Sequence, residues 1–252
     1  MKNKKIRVYE YIPFIITCIT LLIIIELSVN MGVIPAFIIP APSKVTAELI
    51  ENSYVFITKH MAITLLETIL GIILSLTVGI TIAILMFWFN SIKKVIYPFI
   101  LISQTIPTIA LSPIFVLWFG YGLFSKVAMA FLISFFPIVV GLYDGLRSTD
   151  KAAIELFTTM GADKKRLLLH LQIQYALPSF FSGLKMAVIY AVVGATIGEW
   201  LGSSSGLGYY TKRMSGNLNA SGVFAAIILL SFLGITLFSI VTLIEKILLK
   251  KE

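Results

Sequence analysis

The stretch that decides the fold is MAITLLETILGIILSLTVGITIAILMFWF, residues 61–89, in which Glu67 is the only charged residue. An α-helix needs about 20 apolar residues to cross the hydrocarbon core of a bilayer, so this stretch is long enough for one crossing. Gly71 and Gly79 leave small patches on its surface where a second helix can approach closely. The stretch therefore predicts a membrane-spanning helix that packs against another helix.

The rest of the chain has the same apolar character. Hydrophobic residues make up 58% and charged residues 13% of its 252 residues, whereas a soluble domain averages about 45–50% apolar and about 25% charged residues. We therefore predict an all-α integral membrane protein, because helices satisfy their own backbone hydrogen bonds in lipid. The single cysteine, Cys18, rules out an intrachain disulfide and a thiolate metal cluster.

Apolar stretches recur along the chain and predict about six membrane-spanning helices in a single domain, residues 1–252. The predicted spans are 11–29, 61–89, 97–119, 127–143, 178–201 and 223–243. The third contains three prolines and is expected to be one kinked span. The first also resembles a signal peptide, but no A-x-A cleavage site follows it, so we expect an uncleaved helix. Residues 144–176 hold most of the local charge and predict a loop of two short helices.

The distribution of basic residues predicts the orientation of the helices. If the N-terminus is cytoplasmic, 14 of the 20 Lys and Arg residues lie in inner segments, five lie in outer segments, and Lys185 lies within the fifth span. Cytoplasmic loops of membrane proteins are enriched in Lys and Arg, so both termini are expected in the cytoplasm. The same rule accounts for the net charge of +8 without a nucleic-acid partner.

The loop at 144–176 is large enough to contact a partner protein. It contains DKAAIELFTTMGADKKRLLLHLQIQYALP, residues 150–178. Gly161 can end one helix in the left-handed region, and Asp163 can cap the next helix. This spacing predicts a helix-turn-helix elbow. On spacing alone, the elbow could equally lie on the membrane surface, held by its basic residues 164–166 against anionic headgroups.

The elbow resembles the cytoplasmic loop of the permease subunits of ATP-binding-cassette importers. That loop has the pattern E-A-A, three residues, Gly, nine residues, I-x-L-P, and Glu155, Gly161 and Leu171 match its frame. Residues 156–157, Leu-Phe, replace the two alanines, and residues 173–174, Ile-Gln, replace Leu-Pro. Three further blocks resemble the nitrate, sulfonate and taurine branch of importers, which also includes carriers of thiamine-precursor pyrimidines and riboflavin. These blocks are QTIPTIALSPIFVLWFGYGLFSK (104–126), FFPIVVGLYDGLRS (135–148) and GEWLGSSSGLGYY (198–210).

The resemblance implies a type I importer permease in the cell membrane that forms a homodimer with the translocation path at its interface. It also implies two cytoplasmic ATP-binding subunits docked on the elbow and an extracytoplasmic substrate-binding protein. The ATPase-coupling residues that it implies are Glu155, Gly161, Ala162, Asp163, Lys164 and Leu171. The sequence has no G-x-x-x-x-G-K-[ST] phosphate loop, so ATP hydrolysis is expected on the partner subunit. The third block favours a pyrimidine solute over a sulfonate, taurine or nitrate-like anion.

Two polar segments are candidates for the translocation path or its gate. They are Gln104, Thr105, Pro107 and Thr108 around a proline, and Glu199, Ser204, Gly206 and Gly208 at the outer end of the fifth span. The first segment could line a path beside carbonyl groups that the proline frees, and helix-to-helix hydrogen bonding explains it as well. Glu199 is predicted to order an outer gate through a hydrogen bond to the loop 203–208.

Other polar and aromatic residues of the spans have ordinary explanations. Glu26 and Glu67 are expected to snorkel or to hydrogen-bond between helices, and Lys185 to snorkel. The tryptophans near span ends fit an interfacial belt.

The alternative functions are a passive channel and an intramembrane enzyme. A simple pore has no use for the basic elbow. His60 and His170 lie on opposite sides in the predicted topology, so no catalytic, cofactor or metal site is predicted, although Glu67 and Glu199 could in principle pair as acid and base.

Overall fold

The computed structural model describes residues 12–249, and all regular elements in that range are helical. The helices are α1 (Ile12–Asn30), α2 (Pro42–Glu51), α3 (Ser53–Val55), α4 (Ala62–Trp88), α5 (Asn90–Ser103), α6 (Thr108–Phe119), α7 (Leu123–Arg147), α8 (Lys151–Thr159), α9 (Lys164–Leu167), α10 (Ile173–Gly202), α11 (Leu207–Gly216) and α12 (Ala220–Leu249). The π-helical segments Phe56–Met61 and Leu168–Gln172 join α3 to α4 and α9 to α10. The basic residues predicted at the two chain ends lie outside the described range, apart from Lys246.

Five helices within residues 12–249 are long and apolar enough to cross a membrane. They are Ile12–Asn30, Ser53–Trp88, Leu123–Arg147, Lys164–Gly202 and Ala220–Leu249. They overlap the first, second, fourth, fifth and sixth predicted spans. The last four begin earlier than predicted, because polar residues flanking the apolar stretches continue the helical turns.

The third predicted span, 97–119, consists of two helices with a sharp bend between them. α5 and α6 are bent by 106° across a short break, as a broken span or a re-entrant loop. Pro107 precedes α6 with an extended ψ of 109°, and the residue before a proline is disfavoured in the helical region. Pro98 and Pro113 remain inside their helices. The break therefore falls at the proline that follows the polar residues 104–105.

The second short helix predicted for the loop 144–176 is the beginning of a spanning helix. α9, the second π-helical segment and α10 form the continuous helix Lys164–Gly202. Pro178, predicted to start the fifth span, lies inside α10. Leu168 and Leu171 are already buried, so packing continues the helix through a proline that removes one backbone hydrogen bond.

The centre of the fold is a seam between α7 and α10, with α4 packed beside it. A Cβ atom on Gly194 would lie 2.7 Å from the Cα of Ala130. A Cβ on Gly183 would collide with the carbonyl oxygen of Pro137. Gly71 of α4 approaches the same Ala130. Small residues thus let three backbones approach closely, which is how helices associate in lipid.

The first spanning helix, α1, stands apart from this core. None of its residues is buried, and its attachment is polar. The Glu26 carboxylate accepts hydrogen bonds from the Ser43 hydroxyl (2.6 Å) and the Ser43 N–H (3.0 Å). This confirms that Glu26 hydrogen-bonds between helices and fixes α1 to the start of α2.

Candidate functional site

The outer end of α10 carries a buried carboxylate that caps the following helix. Glu199 is 0% exposed, and its Oε2 accepts hydrogen bonds from the N–H groups of Gly208 and Tyr209. Its Oε1 accepts the hydroxyl of Thr64 on α4 at 2.6 Å. α11 has no side-chain cap of its own because its N-cap residue is Gly206. The predicted hydrogen bond from Glu199 to the loop 203–208 is therefore confirmed at Gly208.

Two residues on α4 and its π-helical extension complete this cap. The N–H of Gly206 donates to Nδ1 of His60 (3.1 Å), and the N–H of Leu207 donates to Oγ1 of Thr64 (2.8 Å). Gly206 has a φ of 110°, and a Cβ there would collide with the Glu199 carboxylate. The N–H groups of the consecutive residues 206–209, at the start of α11, thus donate to side chains of other helices. We call His60, Thr64, Glu199 and the backbone of 206–209 the outer latch.

A second carboxyl group lies against the outer latch. Glu67 is 1% exposed and lies three residues after Thr64 on α4, close to the carboxyl group of Glu199. Oε2 of Glu67 has no hydrogen-bond partner within residues 12–249. The expectation that Glu67 hydrogen-bonds between helices stays a prediction.

The far side of α11 is tied to α2. The Tyr210 hydroxyl donates to Glu48 at 2.8 Å. Burial, together with this carboxylate, raises the pKa of Tyr210 above its ordinary value, so the hydroxyl keeps its proton. Its ring also packs edge-on against Phe56 with centroids 4.8 Å apart. α11 is therefore held on two sides.

The predicted cluster at Pro107 lies at the exposed bend between α5 and α6. The Thr105 hydroxyl donates to the Ile102 carbonyl at 2.8 Å, and the Gln104 amide donates to its neighbour Ser103. In the described chain these two hydrogen bonds stay within their own turn, and whether the cluster lines a path or bonds to another helix stays a prediction. The proline separates the two helices.

An apolar groove lies beside this bend, between α6, α10 and α12. Its volume is about 820 Å³, and its walls include Ile109, Thr196, Trp200, Ser231 and Phe238. Thr108 is adjacent in sequence to the first of these residues. The sequence analysis assigned Trp200 to an interfacial belt and overlooked Thr196. Neither residue could be assigned to the groove from sequence, because the groove forms only when α10 and α12 pack together.

The elbow has the geometry that Gly161 and Asp163 predicted. Gly161 has a φ of 84°, its N–H donates to the carbonyl of residue 158, and the N–H of Ala162 donates to Phe157, both at 3.0 Å. This is a Schellman motif. Oδ1 of Asp163 accepts the N–H of Arg166 at 2.9 Å and caps the next helix. The elbow is thus a rigid corner between α8 and the spanning helix.

Sequence reasoning missed one ion pair. Lys185 on α10 lies 2.9 Å from Glu245 on α12, with both side chains about one-fifth exposed. The expectation that Lys185 snorkels is wrong, because a carboxylate on the neighbouring helix is within reach. The pair ties α12 to the central seam.

Comparison with known proteins identifies the family of this chain. Residues 71–250 match the family described as binding-protein-dependent transport system inner membrane component. The chain is 44% identical over 243 residues to the formylaminopyrimidine transport permease protein ThiX of Halalkalibacterium halodurans, covering 96% of this chain and 97% of that protein. It is 38% identical to a probable ABC transporter permease protein of Haemophilus influenzae, covering 93% and 94% of the two chains. It is 30% identical to the riboflavin transport system permease protein RibX of Chloroflexus aurantiacus, covering 94% and 89%.

These relatives are transport permeases and not enzymes, and the family resides in the inner membrane. With its all-helical fold of five spanning helices and one bent pair in the described range, the chain is a multi-pass membrane permease that belongs to the family of binding-protein-dependent transport system inner membrane components.

Proposed function

We propose that this chain forms the translocation path of an ATP-driven importer for a pyrimidine thiamine precursor. The observation that carries the proposal is the 44% identity to a formylaminopyrimidine permease along nearly the whole of both chains. A sulfonate permease of Bacillus subtilis reaches 29% and the taurine permease of Escherichia coli 24%. A pyrimidine is therefore favoured over a sulfonate, taurine or nitrate-like anion.

The path itself is proposed to lie between two copies of the chain. The groove of about 820 Å³ between α6, α10 and α12 is half open in one copy and almost wholly apolar. A second copy closes such a groove and shields its apolar walls. The bend at Gln104, Thr105, Pro107 and Thr108 adjoins the groove and supplies polar groups for the path.

The outer latch is proposed to act as the gate on the side where a binding protein delivers solute. Ser204 is exposed on the loop above the latch, where a docked protein can reach it. The buried bonds of Glu199 to Gly208 make the position of α11 depend on the spacing of α4 and α10. A change in that spacing opens or closes the entrance.

The elbow is proposed to be the docking surface for the ATP-binding subunits, one on each copy. Leu156 on α8 and Met160 directly after its end, four residues apart, are 59% and 77% exposed. Glu155 is exposed beside them. A helix that presents apolar side chains next to a charge suits a protein groove. The excess of basic residues on this side supports a cytoplasmic location.

The test is to purify the chain with its ATPase and measure co-elution, then ATP hydrolysis stimulated by the solute-loaded binding protein in lipid. Gly161→Val places a side chain at a φ that costs about 1–2 kcal/mol, so it should loosen assembly. Glu155→Lys should weaken assembly by reversing a contact charge.

Two substitutions serve as matched controls for this experiment. Gly32 has a φ of 74° and, like Gly161, open space around an added Cβ, so Gly32→Val imposes the same kind of strain far from the elbow. Glu51→Lys reverses an exposed charge on α2. Full assembly and stimulation in both elbow variants would sink the docking proposal and favour a membrane-surface elbow. Stimulation by a taurine-loaded binding protein, and none by the formylaminopyrimidine-loaded protein, would overturn the solute.

A further inference from the structure

A second cleft lies at the opposite end of the molecule from the outer latch. Its volume is about 740 Å³, and it lies between the end of α4 and the beginning of α9. Trp88 and Phe89 form one wall, and Lys164 and Lys165 stand on the other. The two aromatic side chains are 50% and 51% exposed. Tryptophan exposed at the end of a spanning helix lies at the level of lipid headgroups.

The two lysines lie at a helix N-terminus, where positively charged side chains are ordinarily disfavoured. They occupy the first turn of the 39-residue helix Lys164–Gly202, where the helix dipole disfavours positive charge and favours an anion. Asp163 also borders the cleft, but its Oδ1 is occupied by the N–H of Arg166. A bound anion would be attracted both by the lysines and by the helix terminus.

The base of the cleft holds a polar side chain without a partner. Gln172 is 8% exposed and lines the cleft, and its amide makes no hydrogen bond to any residue in the part of the chain that the structure describes. It is the last residue of the π-helical turn Leu168–Gln172, a wider turn of a kind often found at functional sites. Because the residue is mostly buried and lines the cleft, its N–H₂ can donate to a phosphate oxygen bound there.

We propose that this cleft binds the phosphate headgroup of an anionic phospholipid. Basic pockets between spanning helices on the cytoplasmic side suit such headgroups. A lipid is favoured over a soluble phosphate because the cleft has an aromatic wall at the membrane surface, which acyl chains can cover. The choice of cytoplasmic leaflet rests on the orientation given under the proposed function. The site places a lipid against the first turn of the helix that begins at the elbow.

The test is native mass spectrometry of the full chain in detergent, titrated with phosphatidylglycerol and with phosphatidylcholine of the same acyl chains. Phosphatidylglycerol should bind at least tenfold more tightly. The double variant K164Q/K165Q should weaken its binding about thirtyfold, because each lysine contributes to the attraction of an anionic lipid. The control K151Q/K246Q removes the same charge from exposed positions on the same side and should change binding less than threefold.

A further variant tests the base of the cleft. Gln172→Glu keeps the side-chain volume but adds a charge that repels phosphate, so it should weaken phosphatidylglycerol binding about tenfold or more. Equal binding by K164Q/K165Q and its control would overturn the proposal. So would competition by glycerol phosphate at the concentration of the lipid, which would indicate a soluble anion.

The ATPase is the other candidate occupant of the cleft. Loss of ATPase co-elution in K164Q/K165Q with unchanged lipid binding would assign the cleft to that subunit and overturn the lipid site. Lipid binding requires neither ATP nor solute, so failure of the proposed transport function leaves this measurement intact.

Discussion

Replacing Glu199 by leucine or by glutamine separates the functions of its two carboxylate oxygens. One oxygen accepts the N–H groups of Gly208 and Tyr209, and the other accepts the Thr64 hydroxyl. Leucine has a similar volume but no acceptor, so it leaves both N–H groups without a partner at a fully buried position. Glutamine keeps one oxygen for these N–H groups and turns its N–H₂ toward Thr64.

The magnitude follows from the number of groups that lose a partner. Each buried polar group left unpaired costs about 1–3 kcal/mol, so Glu199→Leu should destabilise the outer latch by about 2–6 kcal/mol. Thr64 does not add to this cost because its hydroxyl has a second acceptor, the carbonyl of His60, at 3.2 Å. Glu199→Gln replaces a charge-assisted hydrogen bond with a neutral one and should cost about 1 kcal/mol.

The assay is hydrogen–deuterium exchange of the peptide 203–216 in lipid nanodiscs. A loss of about 3 kcal/mol in Glu199→Leu should speed exchange there more than about 100-fold, because exchange follows local opening. Glu199→Gln should speed it roughly fivefold and reduce transport without changing which solute is carried. Peptides of α7 provide the internal control. Exchange in Glu199→Leu at the unmodified rate would refute the capping argument, and a changed solute profile would refute the gating function.

Three further predictions concern topology and packing. In a cysteine-free background, a cysteine at Ser204 should react with an impermeant thiol reagent outside intact cells and one at Lys165 should not, because of the bias in basic residues; the converse labelling would overturn the orientation. Gly183→Leu should push α7 away from α10, which should cost about 1–3 kcal/mol of stability and lower the thermal unfolding midpoint in detergent. An unchanged midpoint would mean that the two helices can move apart without cost. Lys185→Met should destabilise by about 1–3 kcal/mol because it leaves Glu245 unpaired, and adding Glu245→Leu should recover most of the loss; equal stability of both variants would show that the ion pair contributes nothing.

The sequence predicts the spanning helices well because a bilayer imposes one dominant requirement. Twenty apolar residues in a row have few alternatives to a helix in lipid, and a helix long enough to cross a membrane overlaps five of the six predicted spans. The sharp bend within 97–119 has a local cause. A long uncharged run with three prolines has the composition of a span, yet only the conformation at Pro107 decides whether the run is straight or bent by 106°. Composition does not determine that conformation.

The candidate site was predictable where the signal is local. Gly161 and Asp163 specify the elbow through backbone conformation and capping, and both act within a few residues. Of the outer latch, the sequence predicted Glu199, Gly206 and Gly208 but not His60 and Thr64. Thr64 and Glu67, three residues apart, lie on one face of α4, and His60 precedes Thr64 by four residues in the π-helical segment. That spacing could have identified a common face, but the backbone groups that His60 and Thr64 bind are 146 and 143 residues away and are brought there by packing alone.

The long helix from Lys164 to Gly202 connects the two ends at which the function is proposed. Its 39 residues extend at most about 58 Å, with Gln172 at the lipid cleft and Glu199 at the outer latch. α7 lies against it along a seam of small residues, so close that a Cβ added to Gly183 would collide with the carbonyl oxygen of Pro137. Motion applied at the elbow is therefore expected to tilt the pair as a unit, with the π-helical turn Leu168–Gln172 as its most deformable point. The outer latch then changes because α10 moves relative to α4, and no separate signal needs to cross the membrane.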